Sequence, residues 1–234
     1  MRPKHIVGFV GDDSGQGRID IAISHVGGEL MHEAEDIFRL LAPLDIAGPI
    51  PHLTVLPERL AVARITQGLA PVFSTAEGPV VGLHLSARKE KQRWPVENFA
   101  ALARHLHQRY GVRFLIFWSP GDESNPFHPG DDGKAAKLLA EIADLPVAPV
   151  RTEVLSELIA GLSLVDYAIL SDGGAMHLAA GLGKPLVCFF GNSPAARWHP
   201  WGVSYELLQK PSEDVGEISV DEAIDAFDRL LERQ

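Results

Sequence analysis

The sequence has a single cysteine, Cys188, set inside an apolar run. An internal disulfide and a thiolate zinc cage are thereby excluded, and Cys188 is expected to be a small buried hydrophobe. Nowhere do apolar residues run for the ~20 positions needed to span a bilayer. Met1 to Gly11 has neither the apolar core nor the cleavage site of a signal peptide, so a cytoplasmic protein is expected. Positive charge is also scarce. Twenty-one Lys and Arg stand against 31 Asp and Glu, a formal net charge of -10, which argues against nucleic acid or an anionic membrane surface as the main partner.

Several chemical motifs are missing as well. The ten histidines form no HExxH, and no Asp-x-Asp pair is present to hold a divalent ion against a diphosphate. Gly130-Asp-Asp-Gly-Lys134 lacks the spacing and the Ser or Thr of a P-loop and reads as a turn with a helix cap. A bound diphosphate would have to be neutralised by backbone amides and Lys or Arg, with no metal and no cofactor.

What is present is an alternation of short apolar runs with helical patterns. Ile6 to Val10 and Ile19 to Val26 read as strands, and Ile37, Leu40, Leu41 and Leu44 mark a helix. Leu53 to Leu56 is a further strand candidate, and a helix is expected from Glu58 to about Gly68. Residues 1–70 are expected to be part of one α/β lobe, 71–79 a linker, and 80–234 a second domain. In that domain Val80 to Leu85, Phe114 to Trp118, Val147 to Val150, Tyr167 to Leu170 and Leu186 to Phe190 read as strands, with an amphipathic helix after each of the first four. A last helix carries Ile224, Phe227, Leu230 and Leu231 behind the capping-box pair Ser219 and Glu222. The expected class is α/β, a Rossmann-like parallel sheet with helices on both faces.

Ligands of such sheets collect beyond the carboxyl ends of the strands. There the sequence places Ser86, Ala87, Arg88, Lys89, Lys91 and Arg93 after one strand and Ser119, Asp122 and Glu123 after the next. Thr152 and Glu153 follow another, and Ser171, Asp172, Gly173 and Gly174 precede a helix that carries His177. Cations and free amides suit a diphosphate, and carboxylates suit sugar hydroxyls. A sugar nucleotide offers both.

The segments Ser86-Ala-Arg-Lys-Glu-Lys-Gln-Arg-Trp-Pro95, Glu153-Val-Leu-Ser-Glu157, Ser171-Asp-Gly-Gly-Ala-Met-His177 and Phe190-Gly-Asn-Ser-Pro194 together resemble the successive signatures of glycosyltransferase family 9, which includes the ADP-heptose:lipopolysaccharide heptosyltransferases. The resemblance implies a GT-B-type architecture of two lobes, the second binding the nucleotide sugar, and an inverting, metal-independent transfer. It implies a donor such as ADP-heptose, an acceptor in the lipopolysaccharide core or another glycan, and at most peripheral association with the inner membrane. By position, Ser86, Ala87 and Lys91 would meet the diphosphate, with amides from Gly173 and Gly174. Asp172 would hold donor-sugar hydroxyls, Glu123 is the choice over Asp122 for the ribose, and His177 belongs to the same motif. Two departures stand out: Gly173 occupies a position that is often Thr in the family, and the first lobe is short, with Asp12 and Asp13 as candidate replacements for the catalytic base. A non-catalytic nucleotide-sugar-binding module is the alternative from a different class, and a sugar-nucleotide epimerase is a third possibility.

Overall fold

The computed structural model describes residues 3–11, 19–24, 31–69, 77–125 and 129–233. The chain divides into two compact units, Met1–Pro51 with Pro194–His199, and His52–Ser193 with Pro200–Gln234. This partition differs from the expected boundary at residue 70. The helical segment after Pro57 belongs with the large unit, and the short segment 194–199 belongs with the first.

In the first unit, β1 (Val7–Val10) and β2 (Ile21–Ser24) pair in parallel, and α1 (Glu33–Phe38) runs on into a 3-10 turn, Arg39–Leu44. His32 caps α1: its Nδ1 accepts from the Ala34 amide, and Glu35 accepts from the His32 amide, which closes a capping box. Arg39 gathers the unit by donating to Asp36 and to the Ser24 carbonyl while its guanidinium lies 5.6 Å from the Phe9 ring. Asp12 and Asp13 lie outside the described residues.

The large unit starts with α2 (Arg59–Gly68) and then builds the sheet. In chain order its elements are β3 (Val80–His84), α3 (Val96–Tyr110), β4 (Arg113–Trp118), α4 (Asp132–Glu141), β5 (Val147–Arg151), α5 (Leu155–Ser163), β6 (Tyr167–Ser171), α6 (Gly174–Gly181) and β7 (Leu186–Phe190). After the four-residue α7 (Ala195–Trp198) of the first unit come β8 (Tyr205–Gln209) and α8 (Val220–Glu232). The six strands form one all-parallel sheet in the order β5-β4-β3-β6-β7-β8. β3 and β7 are buried at every position, as strands covered on both faces must be, and their sequences are accordingly unbroken apolar runs apart from Gly82 and His84. Cys188 sits in β7 with no exposed surface.

Two expectations are corrected. Leu53 to Leu56 is not a strand: Pro51 and Pro57 flank it without amide donors, and a single bond from the Val55 amide to the Gly181 carbonyl replaces a ladder. Conversely, β8 is a strand that the periodicity does not reveal. It is an edge strand whose Glu206 turns inward to Arg229 and Arg233, so its charge disguises a buried position. The last helix forms as expected, closed by the Ser219 and Glu222 capping box, with Phe227 packed edge-on against Tyr167 at 5.4 Å between centroids.

Candidate functional site

The order of the sheet fixes where a ligand can enter. From β3 the chain builds outward to β4 and β5, then returns to place β6, β7 and β8 on the other side, so the crevice beyond the carboxyl ends of β3 and β6 is the topological switch point. A cavity of about 420 Å³ opens there. One wall is the loop after β3, with Ser86, Ala87, Arg88 and Lys89; the other is the turn after β6, with Asp172, Gly173 and Gly174. Two loops far apart in sequence therefore meet because β3 and β6 are neighbours in the sheet.

The turn after β6 suits an anion. Gly173 has φ 154°, ψ -173°, a conformation that glycine adopts freely and threonine does not, and it stands at the N-cap of α6 without a side-chain cap. The first amides of α6 have no intrahelical acceptor and carry the positive end of the helix dipole. A Cβ on Gly173 or Gly174 would meet nothing within 4 Å, so the backbone is open to an approaching group. Asp172 is fixed beside it: its amide donates to the Phe189 carbonyl, and its Oδ2 accepts from Gln92 Nε2 at 3.2 Å. His177 lies one turn into α6 and does not line the cavity. Burial lowers its pKa, against the opposing pull of the Asp172 charge.

Lysine placement differs from the sequence expectation. The stretch Glu90–Gln92 is a 3-10 turn, in which neighbouring side chains point about 120° apart. Lys91 is turned outward and does not line the cavity; Lys89 and the buried Gln92 do. Lys89 donates to Asn192 Oδ1 at 2.8 Å, and Gln92 is 3.5 Å from Ser193 Oγ, so the Asn192-Ser193 pair after β7 closes the third side. Neither Lys89 nor Gln92 was separable from its neighbours in sequence, since the direction of each side chain depends on that turn.

His84 was also missed, because it ends a strand that otherwise reads as core. It faces both the switch-point cavity and an adjoining one of about 240 Å³ bounded by Ser119, Pro120 and Pro129. Burial pushes its pKa down to about 4, with the Lys134 charge adding to the effect and a bond with the Ser86 backbone opposing it. A base whose folded pKa lies below the unfolded value of 6.5 stabilises the fold fully above pH 6.5 and loses that contribution as pH falls toward 4. His84→Gln is therefore expected to flatten the decline in urea midpoint between pH 7 and pH 4.5; an unchanged decline would show that His84 is as exposed to protons folded as unfolded.

Neither Asp122 nor Glu123 lines either cavity. In the loop after β4 the Asp122 carboxylate accepts from the Ser124 amide at 2.7 Å and the Asp122 carbonyl from the Gly130 amide, so Asp122 is spent on its own turn. The Glu123 side chain is 61% exposed, with Arg93 Nη1 3.5 Å away, and is the freer carboxylate of the two. Among the described residues no group of three His, Cys, Asp or Glu is placed to hold a metal ion, and no helix is long and apolar enough to cross a membrane. A larger, shallower groove of about 820 Å³ runs along α2 from its N-cap Glu58 past Leu60, Arg64 and Gln67.

The model of glycosyltransferase family 9 (heptosyltransferase) matches residues 29–219. Among solved structures, a family 9 glycosyl transferase from Veillonella parvula superposes with a TM-score of 0.77 at 18% identity, covering 92% of this chain and 64% of that one. The E. coli ADP-heptose lps heptosyltransferase II superposes with a TM-score of 0.68 at 18% identity, covering 93% and 67%. E. coli heptosyltransferase WaaC with ADP gives 0.66 at 16% identity, covering 91% and 60%. This chain thus spans 60% to 67% of the length of these proteins, and at such identities the likeness is one of fold. No curated protein matches the sequence.

Proposed function

The chain belongs to glycosyltransferase family 9, and from that premise we propose that it transfers a sugar, of the heptose class, from a nucleoside diphosphate donor to a lipopolysaccharide-core or other glycan acceptor. The observation that carries the proposal is the cavity at the switch point, where cations and glycine amides face a carboxylate. The diphosphate lies between the loop Ser86–Lys89 and the first turn of α6, with its charge met by Arg88, Lys89 and helix-end amides. Asp172, held by Gln92, accepts from hydroxyls of the donor sugar. The nucleoside extends into the adjoining cavity, and Glu123, outside its lining, is the carboxylate assigned to the ribose hydroxyls.

Transfer is inverting and needs no metal. A carboxylate base takes the proton of the acceptor hydroxyl as its oxygen attacks the anomeric carbon, and the nucleoside diphosphate leaves with the electron pair into the field of the cations and amides. Asp12 and Asp13 remain the candidates for that base. The reaction takes place in the cytoplasm, with at most peripheral contact to the inner membrane through the acceptor.

Calorimetric titration with ADP, UDP, GDP and an ADP-sugar tests the donor assignment. One nucleotide is expected to bind, and Lys89→Ala is expected to weaken it by about tenfold, the loss of one charge-assisted contact. Lys91→Ala should have a smaller effect, since Lys91 does not line the cavity. If no nucleotide binds, the chain has the family's fold without its ligand.

A further inference from the structure

The cavity accounts for the residues that line it, but not for a buried carboxylate beside the loop after β3. Asp131 has no exposed surface, and among the described residues neither of its oxygens meets a donor in full hydrogen-bond geometry. It occupies the N-cap of α4, where an aspartate ordinarily accepts from an amide of its own helix, yet its side chain makes no cap bond. Instead it turns inward. An ionised group in such a place is costly unless it does something that an apolar residue cannot.

The groups around it share one feature. Arg93 Nη1 is 3.7 Å from Asp131 Oδ1, and Arg93 Nη2 is itself buried without a hydrogen-bond partner among the described residues. The same guanidinium donates through Nε to the Ala87 carbonyl at 3.0 Å. Lys134, whose charge also favours the ionised Asp131, donates to the Leu85 carbonyl at 3.0 Å. The Ser86 hydroxyl accepts from the Ser119 amide at 2.8 Å, which leaves its proton to face the carboxylate. Leu85, Ser86 and Ala87 are consecutive, and the group that fixes each one is gathered around Asp131.

We infer that Asp131 is a positioning residue for the loop after β3: it orients Arg93, Lys134 and the Ser86 hydroxyl, and through them sets the backbone of the wall that meets the diphosphate. It touches no ligand. Burial raises its pKa, the Glu123 charge adds to that rise, and Ser86, Arg93 and Lys134 act against it. Glu123, 3.5 Å from Arg93, makes the same guanidinium a link to the loop after β4.

The ligand arm of the test rests on the donor reading above, while the loop arm does not. In the unliganded protein, Asp131→Asn is expected to speed amide exchange across residues 85–89 by about tenfold, the loss of one coupling among grouped charges, while β3 and β4 keep their protection. For ADP, affinity is expected to fall by about tenfold although a negative charge near an anion site has been removed. Electrostatics alone predicts tighter binding, and a purely structural role lowers thermal stability without altering the affinity of the folded fraction. Arg93→Gln should reproduce both effects, and the double variant should add little to either single one. Unchanged exchange together with unchanged or tighter ADP binding overturns the inference. If Asp131→Asn does not fold, Arg93→Gln decides by the exchange readout alone, since removing a cation lowers anion affinity whatever its place. If the wild type binds no nucleotide, the donor reading fails while the exchange experiment still decides the role of Asp131.

Discussion

Trp94→Ala is expected to lower the stability of the sheet domain by about 3–5 kcal/mol, a large share of the 5–15 kcal/mol typical of a folded domain. Trp94 is 1% exposed, packs edge-on against Phe99 and tilted against Phe189, each at 4.8 Å between centroids, and donates from Nε1 to the Ile218 carbonyl at 2.8 Å. Alanine leaves a cavity between α3 and β7 and orphans a buried acceptor, so two costs coincide. Trp94→Phe keeps most of the ring contact and loses the hydrogen bond, and about 1–3 kcal/mol is expected. Urea unfolding followed by circular dichroism measures both; a shift in midpoint for alanine no larger than that for phenylalanine would mean that the ring does not anchor the core. Trp94 also ends the loop that forms one wall of the site, so the alanine variant should bind nucleotide more weakly even at temperatures where it stays folded.

The second large effect concerns Asp172. If its carboxylate accepts from donor-sugar hydroxyls, Asp172→Ala should lower the affinity for an ADP-sugar by about 10- to 100-fold, the loss of a hydrogen bond to a charged group, and leave ADP affinity within about threefold. The alanine also releases Gln92 from its bond to Oδ2, so Asp172→Asn serves as a control that keeps the shape and an acceptor oxygen. Equal losses for ADP and the ADP-sugar would assign Asp172 to shaping the turn rather than to reading the sugar.

The parts of the fold that sequence revealed are those whose physics is local. Strands β3, β4, β6 and β7 are apolar runs because both faces are covered, while β5 at the edge buries only alternate positions; α3 announces itself by spacing and by Gly111, and α8 by its capping box. The loops that meet at the switch point follow from strand order, so Ser86, Ala87, Asp172, Gly173 and Gly174 are brought together as that order requires. What escaped depends on long-range or angular detail. The turn at Glu90–Gln92 decides that Lys89 and Gln92, not Lys91, face the cavity. The inward Glu206 hides β8, and the grouping of Pro194–His199 with the first unit rests on contacts such as Arg197 with Glu33 and His32 with the His199 carbonyl, more than 150 residues apart. Asp131 was read only as part of a turn and cap, and nothing in its local sequence distinguishes it from a solvated acid.

The most direct measurement is a crystal structure of the chain grown with ADP. The account predicts diphosphate density between the loop Ser86–Lys89 and the first turn of α6, with Arg88 and Lys89 turned onto it and the nucleoside directed toward Glu123. Diphosphate bound instead in the groove along α2, or an empty switch-point cavity at saturating ADP, would contradict it.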